Sequence, residues 1–268
     1  MPDNMDFIPI WLLFLATIGV VVLSIEVGYR LGSAVRQRSL DEKESPVSAI
    51  TGAVLGLTAF VLAFTFGIVS DRYDYRKALV RDEANVIGTA VLRTDFLPEP
   101  DRSEAVTLFK AYLDLRVNFA NSGSTEREVI ESVLSETQRI QDRLWDMAVV
   151  NTRTNMNSPI AALYIDSLNQ VIDVHALRVA VGVQARVPIG IWLVLYSIMI
   201  LGMMCVGYHT GIAGSKRSMA RPILAVSFSL IVTLIASVDR PNDSFIKVSQ
   251  QPLIDLRNSM DVSADGVK

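Results

Sequence analysis

Few residues in this 268-residue chain stand in patterns that could do chemistry. The densest set is Asp71, Arg72, Asp74 and Arg76, four charges placed where a long apolar run ends. On a helix facing a central axis, Arg72 or Arg76 would repeat around the axis as positive charge and favour anions. Asp71 or Asp74 in that position would do the reverse. On an ordinary stalk the same alternation would form pairs one helical turn apart and anchors at the membrane edge. Spacing alone leaves these readings open. Just upstream, Phe60, Phe64 and Ile68 recur every four residues, a bulky column that can pack into a neighbour or narrow a pore by dewetting. Asp173, His175 and Arg178 share one helix, but Asp173 and His175 point to different faces and make a poor catalytic or metal set. No phosphate loop, HExxH or paired CxxC spacing, nucleophile elbow or dinucleotide fingerprint occurs. The expectation is therefore no enzyme, no cofactor and no metal.

The element that must position the charges and the phenylalanines is Ala59 to Asn85, where an apolar helix becomes a charged one with no breaker between. Val47 to Val69 carries no charge and no proline over a length that crosses a ~30 Å hydrocarbon core. Small residues recur along it as Gly52, Gly56, Ala63 and Gly67, the spacing that lets helix backbones approach closely. That pattern predicts a packed bundle or an oligomer.

Composition agrees with a membrane protein that has a polar part: 50% hydrophobic residues and a mean hydropathy of +0.35. Four stretches read as spans, 8–27, 47–69, 188–206 and 223–238, arranged as two pairs. Phe7 to Leu23 lacks the basic flank and the cleavage site of a signal sequence, so it is expected in the mature protein. A formal charge of −3 gives no electrostatic case for nucleic acid. Cys205 is the single cysteine, sits inside a span and excludes an intrachain disulfide.

Outside the spans, Glu26 and Arg30 stand one turn apart as the first helix emerges, and Arg30 to Pro46 is expected to be a basic loop ending in Ser45 as cap and Pro46 as first-turn residue of the second span. The stalk continues to about Phe96, where LPEPD ends it. A second bundle helix runs from Asp101 to Asn121 with Val106, Phe109, Leu113 and Val117 as its apolar stripe, and NSG stops it. Thr125 and Glu128 suggest a capping box for a third helix, and Ser158-Pro159 caps a fourth that leads to Pro188. Residues 71–187 hold 17 Asp+Glu against 14 Lys+Arg, so the bundle has no single-sign face. The predicted organisation is 1–70 as the first membrane pair, 71–187 as an extramembrane helical bundle, 188–240 as the second membrane pair and 241–268 as a tail. Asp239 and Arg240 could hold that tail against the stalk, and Ser249 and Gln250 supply uncharged hydrogen-bonding groups before Pro252.

FVLAFTFGIVSDRY resembles the pore-helix segment of bestrophins, in which a phenylalanine pair precedes an Arg-aromatic step by the interval separating Phe64 from Arg72. The resemblance implies that Phe60 and Phe64 are neck phenylalanines. Asp71, Arg72, Tyr73 and Arg76 match the charged step that follows, and Asn85 matches an Asn further along. Gly56 stands where animal bestrophins carry a larger aliphatic residue. SLNQVIDVHALR and the DRP…VSQQPL…DL tail are similar to a bacterial family described as bestrophin-like (domain of unknown function 4239). The resemblance implies an all-α, five-subunit membrane channel of the bacterial inner membrane, conducting inorganic ions, in particular anions such as chloride. DLRNSMDVSADGVK lacks the acidic run of the bestrophin calcium clasp, so no calcium gating is expected. The alternative is a non-conducting, membrane-anchored sensor or scaffold whose bundle binds a ligand or a partner protein.

Two arguments conflict on orientation. The first connection holds four Lys/Arg, the loop between the third and fourth spans holds three, and the N-terminus holds none. The positive-inside rule then puts the bundle outside the cytoplasm, and the expectation leans that way. The bestrophin resemblance implies a cytoplasmic bundle.

Overall fold

In the computed structural model, residues 8–38, 44–124, 126–154, 158–184, 186–215, 220–240 and 246–265 are described. They form an all-α chain: α1 (Ile10–Arg38), α2 (Glu44–Arg93), α3 (Asp101–Ser122), α4 (Arg127–Thr154), α5 (Pro159–Val179), α6 (Ile189–Ile212), α7 (Ala220–Asp239) and α8 (Gln251–Asp265). Four of these, α1, the first part of α2, α6 and α7, are long and apolar enough to cross a bilayer. A π-helical turn, Ala180–Gln184, links α5 to the start of α6.

Burial divides the chain into two cores. Val21, Ile25, Leu62, Val69, Leu195, Met199, Met203, Val232 and Ile235 pack among the spans. Val80, Ile87, Phe109, Tyr112, Leu113, Leu144, Tyr164, Leu168 and Leu253 pack in the bundle. Helix α2 contributes to both, because nothing in its 50 residues interrupts the backbone ladder. At a rise of 1.5 Å per residue it is about 75 Å long.

Local signals explain the bundle's boundaries. α3 ends at Gly123, whose φ of 61° is the left-handed conformation that closes a helix without a Cβ penalty. Ser158 caps α5 by accepting the Ala161 amide at 3.2 Å, with Pro159 in the first turn. Thr125 lies outside the described residues; the helix after it starts at Arg127.

Three expectations need correction. α1 does not give way to a loop at Arg30 but stays helical to Arg38, and its Arg30 Nε donates to Glu26 at 2.9 Å. The reason lies in Gly28 and Gly32, which bring α1 onto α6: a Cβ at either would fall on the carbonyl of Met204 or Tyr208. Gly207 and Gly211 on α6 return the fit against the carbonyls of Ile25 and Tyr29. Both pairs have the four-residue spacing of close-packed membrane helices, so packing keeps the turn beyond Val27 helical. Next, α2 begins at Glu44, which puts Ser45 inside the first turn instead of at the cap, while Pro46 stands in that turn as expected. Finally, the tail carries α8, which buries Leu253 and Met260 in the bundle core and pairs Asp261 with Lys110 at 3.0 Å.

Replacing Gly207 with Val should loosen the α1–α6 contact, since overpacking of a tight site costs about 1–3 kcal/mol. The expected result is a lower thermal unfolding midpoint in detergent. Gly190→Ala, where nothing lies within 4 Å of the added atom, should not lower it.

Candidate pore helix and the charge clusters beside it

Along the membrane part of α2 one stripe is spoken for. Thr51, Thr58, Leu62, Thr65 and Val69 are buried against the other spans. Each threonine hydroxyl donates to the carbonyl four residues earlier at 2.8 Å, and Thr51 also reaches the Cys205 carbonyl of α6 at 3.3 Å. The opposite stripe is bare. Phe60 and Phe64 are 66% and 63% exposed, with rings stacked at 6.4 Å. Gly52, Gly56, Ala63 and Gly67 lie next to them and are exposed as well. Among the described residues, nothing comes within 4 Å of a Cβ placed at any of the three glycines. Ile68 is half-buried at the margin. The structure therefore gathers Gly56, Phe60 and Phe64, the residues expected at a neck, on one face, and leaves Gly52, Gly56 and Gly67 without a packing partner among the described residues.

Where α2 leaves the spans, the four charges divide. Arg76 is buried, donating to the carbonyl of Asp239 at 3.3 Å and to that of Val238. Arg72 is half-buried, with Nη1 3.8 Å from the Asp239 carboxylate. That carboxylate also accepts the Val187 amide at the start of α6, at 3.3 Å. Asp239 thus ties together the end of α7, the entry to α6 and the exit of α2. Its neighbour Arg240 donates to the carbonyl of Ile8 at 2.5 Å, on the segment leading into α1. Asp71 and Asp74 remain exposed, Asp74 with Lys77 at 3.4 Å.

Deeper in the bundle lies a cluster that sequence reasoning missed. Glu83 of α2 has no exposed surface. Tyr112 donates to its Oε1 at 3.0 Å, Arg116 Nε stands 3.3 Å from the same oxygen, and Arg178 donates to Oε2. Arg178 also donates to the Gln250 side chain at 3.1 Å, and the Gln250 carbonyl accepts the Leu253 amide at 3.0 Å to begin α8. Ser249 accepts the Gln251 amide at 3.3 Å. The predicted tail residues therefore divide as well: Gln250 reaches the stalk through Arg178, Ser249 shapes the start of α8, and Asp239 and Arg240 act at the membrane edge.

His175 is buried with its ring edge-on to Tyr112 at 6.1 Å, while Asp173 is exposed, so the two do not form a site. Burial and then the nearby Arg116 push His175 from 6.5 down to about 4, leaving it neutral at pH 7. Its contribution to stability is whole above pH 6.5 and declines as pH falls toward 4, because only the unfolded chain takes the proton readily there. Burial likewise pushes the Tyr112 phenol up to about 12, which keeps it a donor to Glu83. One signal in the sequence pointed here: Arg116 interrupts the apolar stripe beside Leu113 and Val117, a position where a charge must be paired.

Glu83→Gln would leave two buried guanidiniums facing a neutral amide. Removing one partner of such a cluster costs about 3–5 kcal/mol. The midpoint of thermal unfolding in detergent should fall markedly, and Glu83→Gln combined with Arg178→Gln should recover part of the loss.

Comparison with known proteins places this architecture. A family model described as the bestrophin-like domain matches residues 15–253. No curated protein matches the chain. A crystal structure of a bacterial bestrophin homologue from Klebsiella pneumoniae aligns with a TM-score of 0.61 at 15% identity, covering 93% of this chain and 94% of the other. A single-substitution variant of that homologue aligns with the same TM-score at 16% identity over 94% and 96%. The four spans, the long second helix shared with the bundle and the family match over most of the chain lead to one conclusion: the chain belongs to the bestrophin-like family and is a multi-pass membrane protein.

Proposed function

We propose that the protein is an oligomeric ion channel in which α2 lines the pore and Phe60 and Phe64 form a hydrophobic neck. The observation that carries this reading is the bare stripe of α2, opposite the face that packs within the protomer. Copies of the chain around an axis would set Phe60 and Phe64 in successive rings, a constriction that gates by dewetting. Gly52, Ala63 and Gly67 flank the phenylalanines and let neighbouring α2 helices approach. Family membership supports five copies, membrane lipid around them and inorganic ions as the permeant species. Residues 1–70 and 188–240 then form the membrane sector, and 71–187 with α8 forms a vestibule.

For orientation, the cations near the spans balance. The bundle side has eight, Arg72, Arg76, Lys77, Arg81, Arg178, Arg186, Arg240 and Lys247, against seven on the other, Arg30, Arg36, Arg38, Lys43, Lys216, Arg217 and Arg221. These counts weaken the charge argument that leaned toward a bundle outside the cytoplasm, and the family resemblance supports the opposite reading, a cytoplasmic bundle in the bacterial inner membrane.

Purified protein in planar bilayers should carry ion currents, and Phe60→Ala with Phe64→Ala should increase them. Silence of both proteins would reject conduction and leave the anchored scaffold. With Cys205→Ser as background, a cysteine replacing the exposed Ser122 should react with a membrane-impermeant maleimide only after the inner membrane is opened. Labelling in intact cells would place the bundle outside.

A further inference from the structure

Two guanidiniums converge on Glu83 in the bundle, and one carboxylate cannot neutralise both. Glu83 is fully buried, Arg116 is 8% exposed and the Arg178 side chain 14%. Among the described residues neither arginine has a second carboxylate within ion-pair distance. The Nη2 of Arg178 donates instead to the neutral Gln250 side chain at 3.1 Å. His175 beside them is neutral at pH 7 and does not alter the balance. A surplus of one positive charge is therefore held out of water, which is costly unless something meets it.

Hydrogen bonding shows the same surplus on the donor side. Arg116 Nε stands 3.3 Å from Glu83 without the alignment of a hydrogen bond, and it has no other partner among the described residues. Gln141 Nε2 on α4 and His175 Nδ1 on α5 have none either, and these side chains are 4% and 9% exposed. The three residues come from different helices but pack around one phenol. Tyr112 lies edge-on to His175 at 6.1 Å, and both Arg116 and the Gln141 amide bear on its ionisation. Its hydroxyl is committed to Glu83 at 3.0 Å. Buried polar atoms left over in this way mark a bound water or ion. A water carries no charge to offset the surplus. Two N–H donors, with a third from the imidazole in one of its neutral tautomers, suit an acceptor that is itself negative.

We infer that the bundle holds a small monovalent anion, of the size of chloride, among Arg116, Gln141 and His175. The anion accepts from Arg116 Nε, Gln141 Nε2 and the imidazole N–H, and it neutralises the charge that Glu83 leaves uncovered. Glu83 lies 23 residues past Phe60, about 35 Å along α2, so this site is separate from the membrane face of that helix and does not depend on conduction. Its ligands belong to α3, α4 and α5, and through Glu83 and Arg178 it adjoins α2 and the segment before α8. A ligand held only by the folded bundle stabilises it by mass action.

The test is thermal unfolding in detergent, in sodium chloride against sodium gluconate at equal ionic strength, which holds screening constant. The midpoint should be several degrees higher in chloride, and the gain should saturate with concentration. Gln141→Met, which keeps the side chain's length and removes the amide donor, should lose most of that gain. Glu83→Gln enlarges the positive surplus, so its midpoint, although lower, should depend more steeply on chloride; adding Arg178→Gln should return the dependence to the wild-type level. Crystals grown in sodium bromide should show anomalous scattering between α3, α4 and α5. Equal midpoints in the two salts, with no bromide at that position, would overturn the inference in favour of water. A chloride gain unchanged in both Gln141→Met and Glu83→Gln would overturn it too, because the ion would then act elsewhere.

Discussion

A helix that passes from hydrocarbon into water without a break imposes its own phase on both environments, and α2 is such a helix. In the bilayer its backbone groups must be satisfied within the helix, so a loop or strand there is excluded. In the bundle the same ladder continues because Asp71 to Arg93 contains neither proline nor a glycine placed to end it. Which residues face inward at Glu83 is therefore coupled to which face outward at Phe60. Rotating the lower part to bury a different side chain would turn the phenylalanines as well.

Two polar anchors hold that phase. At the membrane edge Arg72 and Arg76 grip the end of α7 through Asp239, and in the bundle Glu83 is gripped by Arg116 and Arg178. The anchors differ in chemistry. The upper one relies partly on carbonyls at a helix end, acceptors left over because the last turn of α7 has no intrahelical donors for them. The lower one is an ion cluster with one carboxylate between two guanidiniums, where each group is costly alone and acceptable only in company. Through Gln250 the lower anchor also fixes α8, so the tail completes the bundle instead of merely following the last span.

Much of this was legible in the residues, and what was not has physical causes. The spans, the Asp101 start, the Gly123 stop and the Ser158 cap follow from local rules that act over one turn. The extension of α1 depended on Gly28 and Gly32 meeting α6, a contact between segments about 175 residues apart. Glycine in isolation weakens a helix, and only the facing carbonyls show that here it permits one. Glu83 was invisible for a similar reason. It sits in a run of charges, RDEAN, whose phase says that one of them must point inward but not what will meet it. Arg116 and Arg178 lie on other helices with apolar neighbours. Asp71 and Arg72 are adjacent in sequence, and only the position of Asp239 distinguishes them.

The four-residue small-residue spacing occurs more than once with different fates, and the difference explains why the protomer looks unfinished. Gly28 with Gly32 and Gly207 with Gly211 are consumed by the α1–α6 contact inside the chain. Gly52 with Gly56 meets nothing among the described residues. Between apolar helices in lipid no hydrophobic gain drives association, so close approach through small residues is the main source of contact energy. A stripe of glycines that merely faced acyl chains would forgo that energy and carry glycine's cost in helix stability as well. On α1 and α6 the spacing marks contact with another helix backbone. Applied to α2, the same physics favours a second copy of the chain along the glycines, and in the proposed channel that placement would turn Phe60 and Phe64 away from lipid.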